Sequence, residues 1–228
     1  MADNAAGAPI ALEHICDRIE KARQRFGAPP EKVELVAVSK TFGPEVIEPF
    51  LASGQRVFGE NRVQEAKEKW PALRERYPDI KLHLIGPLQT NKAREAVALF
   101  DVIQSVDRDK LAGILAEEMA RADKRIPCFV QVNIGDEEQK AGIAVAETVD
   151  FVTRCRQVHG LDIIGLMCIP PDGKPAGPYF AQLAVLGRAA GAENLSMGMS
   201  GDFETAIAMG ATHVRVGSAL FGYRPKVQ

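Results

Sequence analysis

Three groups with complementary chemistry stand far apart in this chain: an amine at Lys40, a guanidinium at Arg215, and two glycine–serine turns, Met197-Gly-Met-Ser-Gly201 and Val216-Gly-Ser218. Lys40 ends the run Val33-Glu-Leu-Val-Ala-Val-Ser-Lys40, whose apolar residues are too few for a helix and suit a strand buried on both faces. A lysine partly desolvated among apolar walls loses some of its preference for the charged form, and the neutral amine adds to an aldehyde. Lys40 is therefore the candidate for a Schiff base; the alternative is a solvated lysine that merely ends a strand. The two turns each precede a helix, where unpaired backbone N–H groups and the helix dipole bind an anion without a cationic side chain. Plain turn chemistry is the alternative for Gly201 or Gly217 taken alone.

These groups act together only if the fold gathers them. Short strands read at 33–40, 56–58, 81–85, 102–104, 128–132, 161–165, 194–196 and 213–216, each followed by a helical stretch: from Pro44 to Gly54, then 61–76, 91–99, 108–122, 145–157, 179–190, 203–209 and a last short one from Ser218. One helix precedes them. Over 10–26 it sets Ile10, Leu12, Ile15, Ile19, Ala22 and Phe26 near one face, and Gly27 with Pro29-Pro30 ends it. Eight strand–helix pairs after one extra helix give the order of a single (β/α)8 TIM barrel over 1–228, with 1–9 a flexible lead. An open doubly wound sheet is the runner-up, and it would leave one of these strands as an exposed edge.

A parallel barrel builds its site from the carboxyl ends of its strands and often holds phosphate between the last two loops. The residues just after each strand are Lys40, Glu60-Asn61-Arg62, Gly86-Pro-Leu-Gln89, Ser105, Asn133, Met167, Ser200-Gly201 and, at the eighth, Arg215 to Ser218. A Schiff-base lysine facing a phosphate cradle describes a site for pyridoxal 5′-phosphate (PLP). Arg215, two residues before Gly217, would lie under the ring, where arginine holds the ring nitrogen unprotonated and weakens the electron sink. A salt-bridged barrel arginine is the alternative. Asn61 reads as a helix N-cap or a cofactor contact, and His83 as a satisfied core or lumen histidine.

Composition closes other routes. With 28 basic and 30 acidic residues and a net charge of −2, no overall field recruits nucleic acid or an acidic membrane. No apolar run approaches the ~18–20 residues that cross a bilayer, and the start of the chain is no signal peptide. Cys16, Cys128, Cys155 and Cys168 show no metal-ligand spacing, so free thiols, no metal and a cytoplasmic location are expected.

The chain resembles the pyridoxal phosphate homeostasis proteins. The segments that carry the likeness are Ala37-Val-Ser-Lys-Thr41, Phe58-Gly-Glu-Asn-Arg-Val-Gln-Glu65, His83-Leu-Ile-Gly-Pro-Leu-Gln-Thr-Asn-Lys92, Val132-Asn-Ile with Lys140-Ala-Gly142, Gly165-Leu-Met167, Leu195-Ser-Met-Gly-Met-Ser200 and Val214-Arg-Val-Gly-Ser-Ala-Leu-Phe-Gly222. Cys168 and the proline-rich 169–178 loop depart from the pattern. The resemblance implies a barrel like the amino-terminal domain of alanine racemase. In it Lys40 takes the PLP aldehyde, Ser200, Gly217 and Ser218 take the phosphate, Arg215 meets the ring or phosphate end, and Asn61 sits beside the cofactor. It implies a carrier or regulator of PLP supply with no established turnover. The expected partners are PLP and PLP-dependent apoenzymes, with the chain acting as a monomer.

The competing reading is a PLP-dependent amino-acid racemase, which needs a proton donor and acceptor on both faces of the ring. Of Tyr77, Tyr179 and Tyr223, only Tyr179 is expected to approach the mouth, and a second-base domain is not expected in a chain ending at Gln228. A phosphosugar aldolase using Lys40 without cofactor is the third reading.

Overall fold

A computed structural model of the chain describes residues 3–25 and 31–222. Its strands are β1 (Glu34–Val38), β2 (Val57–Glu60), β3 (Lys81–Leu84), β4 (Val102–Val106), β5 (Cys128–Asn133), β6 (Ile143–Ala144), β7 (Ile163–Cys168), β8 (Asn194–Ser196) and β9 (His213–Val216). Its α-helices are α1 (Asp3–Arg25), α2 (Pro44–Ala52), α3 (Val63–Arg76), α4 (Ala93–Leu99), α5 (Asp109–Arg121), α6 (Thr148–Gln157), α7 (Gly177–Ala189), α8 (Phe203–Ala208) and α9 (Ser218–Phe221). Eight strands pair in parallel around a closed ring, with β6 attached to the mouth end of β5. The pairing of Ile103 with Cys128 and Val106 with Val130 joins β4 to β5 and removes the edge that an open sheet would leave. The structure is thus the (β/α)8 barrel and not the doubly wound alternative. At the opposite seam β1 lies between β2 and β9, with Val36 beside Arg215 and Ala37 beside Val216.

Several boundaries differ from expectation for local reasons. The helix preceding the barrel begins at Asp3 rather than residue 10, and its buried face is Ala8, Leu12, Ile15, Ile19 and Ala22. Ile10 is 69% exposed, because two residues before Leu12 it lies about 200° round the helix. Phe26 and the expected terminator Gly27-Ala-Pro-Pro30 lie outside the described residues. The buried face of α1 rests on α8, α2 and α9, and Arg18 adds an ion pair with Glu204 at 3.0 Å while stacking on Phe203. Ser105 and Met167, expected just beyond their strands, lie inside β4 and β7 and are buried.

Side chains from four strands fill the lumen with a polar chain. Arg215 Nη1 donates to Ser196 Oγ at 2.8 Å, Ser196 Oγ donates to Gln104 Oε1 at 2.6 Å, and Gln104 Nε2 donates to His83 Nδ1 at 2.8 Å. Below them Phe129 meets the His213 ring edge-on at 5.2 Å. Burial pushes the His83 pKa down to about 3, with His213 and Lys81 adding to the shift. His213, depressed by burial and then by Arg215, falls to about 4.

Both imidazoles are therefore neutral when folded, whereas in the unfolded chain they bind protons below about 6.5. Their contribution to stability is complete above that pH and is lost as pH falls toward the folded values, by about 1.4 kcal/mol per pH unit for each. Urea midpoints measured between pH 7 and 4.5 should fall steadily, and His83→Asn should remove about half of that slope. An unchanged slope in the variant would contradict a neutral buried His83.

Candidate functional site

The mouth of the barrel opens into a cavity of about 540 Å³, within the range of about 300–1,000 Å³ usual for small-molecule sites. Lys40, Asn61, Ser200, Arg215, Gly217 and Ser218 all line it, between apolar walls that include Val38, Ile85, Ile169 and Met199. Strand alternation accounts for the entry of Lys40: Val38 and Lys40 share the inward face, and Ser39 between them turns outward beneath α3.

The outward side of that strand end is tightly tied. Ser39 Oγ donates to Glu60 Oε1 at 2.6 Å, as does Trp70 Nε1 at 3.2 Å. Lys69, on α3 and 5% exposed, pairs with Glu60 Oε1 at 2.8 Å and Glu65 Oε1 at 3.0 Å. The same ammonium donates to the carbonyls of Ser39 at 2.9 Å and Phe42 at 3.0 Å. Burial pushes the Glu60 carboxyl above its ordinary pKa against the pull of Lys69 and Ser39. Thr41 sits at φ 69°, a left-handed conformation that costs a β-branched residue roughly 1–2 kcal/mol, and its N–H donates to Glu65.

Arg215 is 4% exposed. Besides Ser196 it donates to the Cys168 carbonyl at 2.8 Å, and among the described residues no carboxylate lies within ion-pair distance. The salt-bridged alternative is thereby excluded among those residues. Burial lowers its pKa, with Cys168 and Asp202 acting in the opposite sense. A guanidinium buried without an ion-paired carboxylate and facing a cavity is a strong donor for an electron-rich ligand.

At the far wall the loops after β8 and β9 meet. Ser200 Oγ accepts the N–H groups of Gly217 and Ala219, both at 3.3 Å, and Asp202 Oδ1 closes its own loop by accepting the Met199 N–H at 2.6 Å. Space at Gly217 is tight: a Cβ there would stand 3.3 Å from the Val38 carbonyl oxygen. The helices beyond these loops are only six and four residues long, so their dipoles are small. An anion held between these loops would therefore meet individual N–H and O–H donors more than a helix dipole.

Asn61 is not the N-cap of α3. Arg62 holds that position without a side-chain cap, and Asn61 lines the cavity. Gly86 makes room for it, since a Cβ at 86 would meet the Asn61 carbonyl oxygen at 2.3 Å. Tyr179 lies on α7 against the core and is not among the residues lining the cavity, and Tyr223 lies outside the described residues. A smaller chamber of about 250 Å³ adjoins the first through Asn61, Ile85 and Ile169 and carries Gln131, Asn133 and Lys140. Lys140 is paired with Glu137 at 2.6 Å and donates to the Pro170 carbonyl at 3.1 Å, tying two loops of the mouth together. Among the described residues no cluster of three His, Cys, Asp or Glu side chains could hold a metal, and no helix is long and apolar enough to cross a membrane.

Fold and site together define the class: the profile of the alanine racemase N-terminal domain matches residues 10–225. The chain is 39% identical over 223 residues to the pyridoxal phosphate homeostasis protein of Vibrio alginolyticus, covering 93% of this chain and 96% of that one. It is 37% identical over 225 residues to the protein of that name from Escherichia coli K12, covering 93% and 95%. The chain belongs to the pyridoxal phosphate homeostasis protein family. Among solved structures it matches PipY of Synechococcus elongatus PCC7942 without PLP, with TM-score 0.79 and 40% identity over 90% of this chain and 99% of that one. PipY with PLP bound matches with TM-score 0.77 and 39% identity, over 91% and 100%. D-Threonine aldolase from Filomicrobium marinum, at 17% identity and TM-score 0.74 over 99% of this chain and 64% of that one, shares the fold.

Proposed function

We propose that this protein binds PLP in the mouth of its barrel and serves PLP homeostasis in the cytoplasm as a carrier or regulator that supplies PLP-dependent apoenzymes. Lys40 holds the aldehyde as a Schiff base, Ser200, Gly217 and Ser218 hold the phosphate, Arg215 meets the ring end, and Asn61 flanks the ring. The observation that carries this reading is Arg215, a buried cation without a carboxylate partner among the described residues, in one cavity with a half-buried lysine and two donor-bearing loops. PipY, described with PLP bound and matching over 91% of this chain, supports the same ligand, and the four free cysteines suit a reducing compartment.

Bound PLP supplies a reactive aldehyde and a ring that draws electrons strongly only when its nitrogen is protonated. Arg215 has no proton to give up at neutral pH and donates hydrogen bonds instead, which keeps that nitrogen an acceptor. Lys40 and Arg215 are the only ionisable side chains among the described residues lining the cavity. The set supports holding the cofactor more than moving protons across it. The test is an absorption spectrum of the purified protein with PLP, before and after borohydride. A visible band that borohydride removes, leaving the reduced adduct on Lys40, is expected. A protein that stays colourless with excess PLP, or an adduct on another lysine, would overturn the proposal.

A further inference from the structure

We propose that Lys69 and Glu60 are positioning residues for Lys40: a charged clasp behind the strand ends that fixes where the amine enters the cavity. The inference rests on the reading of Lys40 as the aldehyde-binding group.

The clasp reaches both sides of Lys40. Lys69 Nζ grips the carbonyl of Ser39, immediately before it, and that of Phe42, two residues after it. Glu60 grips the Ser39 hydroxyl and is itself the last residue of β2, immediately before Asn61. By strand alternation the outward residues Ser39 and Glu60 are bonded to each other while their inward neighbours Lys40 and Asn61 share the cavity. Glu65, bonded to Lys69 and to the Thr41 N–H, holds the left-handed residue that follows Lys40. A turn in that conformation persists only where its surroundings over-determine it, and here two side chains of α3 do so.

Stability alone is a poor reason for such a clasp. A buried ion pair recovers little more than its desolvation, and apolar residues of similar volume commonly serve the fold as well. A buried charged group that spans a strained turn beside a reactive amine is better explained by the placement of that amine.

The test compares PLP with deoxypyridoxine 5′-phosphate, which keeps the ring and phosphate but carries a methyl in place of the aldehyde and so forms no bond to Lys40. In the paired variant Glu60→Gln/Lys69→Met neither buried partner is left without the other. Capture of PLP, followed by stopped-flow at the visible band, should slow about 10- to 100-fold, while deoxypyridoxine 5′-phosphate affinity stays within about twofold. Glu65→Ala releases the Thr41 N–H and one partner of Lys69 and should also slow capture with unchanged deoxypyridoxine 5′-phosphate affinity. It carries the test alone should the paired variant not fold. Wild-type capture rates in the folded variants, or equal losses for both ligands, would overturn the positioning role. A wild-type protein that captures no PLP would overturn the functional reading, and the clasp's role with it.

Discussion

Protein carrying Lys40→Ala should remain colourless when mixed with PLP and bind it at least about 100-fold more weakly, a loss of about 2.7 kcal/mol. The amine is the one nucleophile in the cavity lining, whose walls otherwise offer amide, hydroxyl, guanidinium and apolar groups. The proposed phosphate cradle would be built from Ser200 and the backbone of the β9–α9 loop, whose mutual bonds do not involve the lysine. Residual binding through phosphate and ring should therefore persist, and deoxypyridoxine 5′-phosphate should bind the variant and the parent alike. Spectrophotometric titration and equilibrium dialysis separate the two contributions. A visible band retained in Lys40→Ala would assign the covalent attachment to another amine.

The second large effect divides stability from binding. Arg215→Met should leave the thermal midpoint of the ligand-free protein within about 4 °C of the parent and abolish most of the stabilisation that PLP confers. The methionine removes a buried charge that has no ion-paired carboxylate among the described residues, a gain, and leaves the Cys168 carbonyl, and the Ser196 hydroxyl that still donates to Gln104, without their donor, a loss of about 1–3 kcal/mol. An unbranched side chain fills the vacated space with little strain. The parent should gain about 2.7 kcal/mol when PLP stands at 100 times its Kd, several degrees for a chain of this size, and the variant little at the same concentration. Thermal melts of both proteins with and without PLP decide the matter. A variant that unfolds far below the parent yet keeps its full PLP shift would make Arg215 a structural residue.

Much of the mouth was legible because parallel barrels bring every strand's carboxyl end to one surface. Residues as distant in sequence as Lys40, Asn61, Ser200 and Gly217 could thus be assigned to one cavity from their positions after strands alone. What lies behind the strand ends left no such mark. Lys69 is one of two lysines on a charged helix, and only the burial of that face distinguishes it from Lys67, which stays near the surface. The Gln104–Ser196 bond crosses the lumen between β4 and β8, and strand alternation shows which residues point inward without showing which of them touch. Two-residue β6 offers too few positions for a period. Ile10 was misplaced because an apolar residue near a helix start resembles the stripe until its angle to Leu12 is counted.

The first and last strands among the described residues lie side by side, so the amine and its companions face each other across the join where the ring of strands shuts. During synthesis Lys40 leaves the ribosome long before Arg215 and Gly217 exist, and none of those donors can serve it until β9 docks. On the proposed reading, capture of vitamin B6 requires the shut ring: a copy synthesised only as far as β8 would carry the amine but lack Arg215 and Gly217. On the same reading occupancy would brace the contact most dependent on distant pairing and couple the lifetime of the shut ring to the supply of the cofactor.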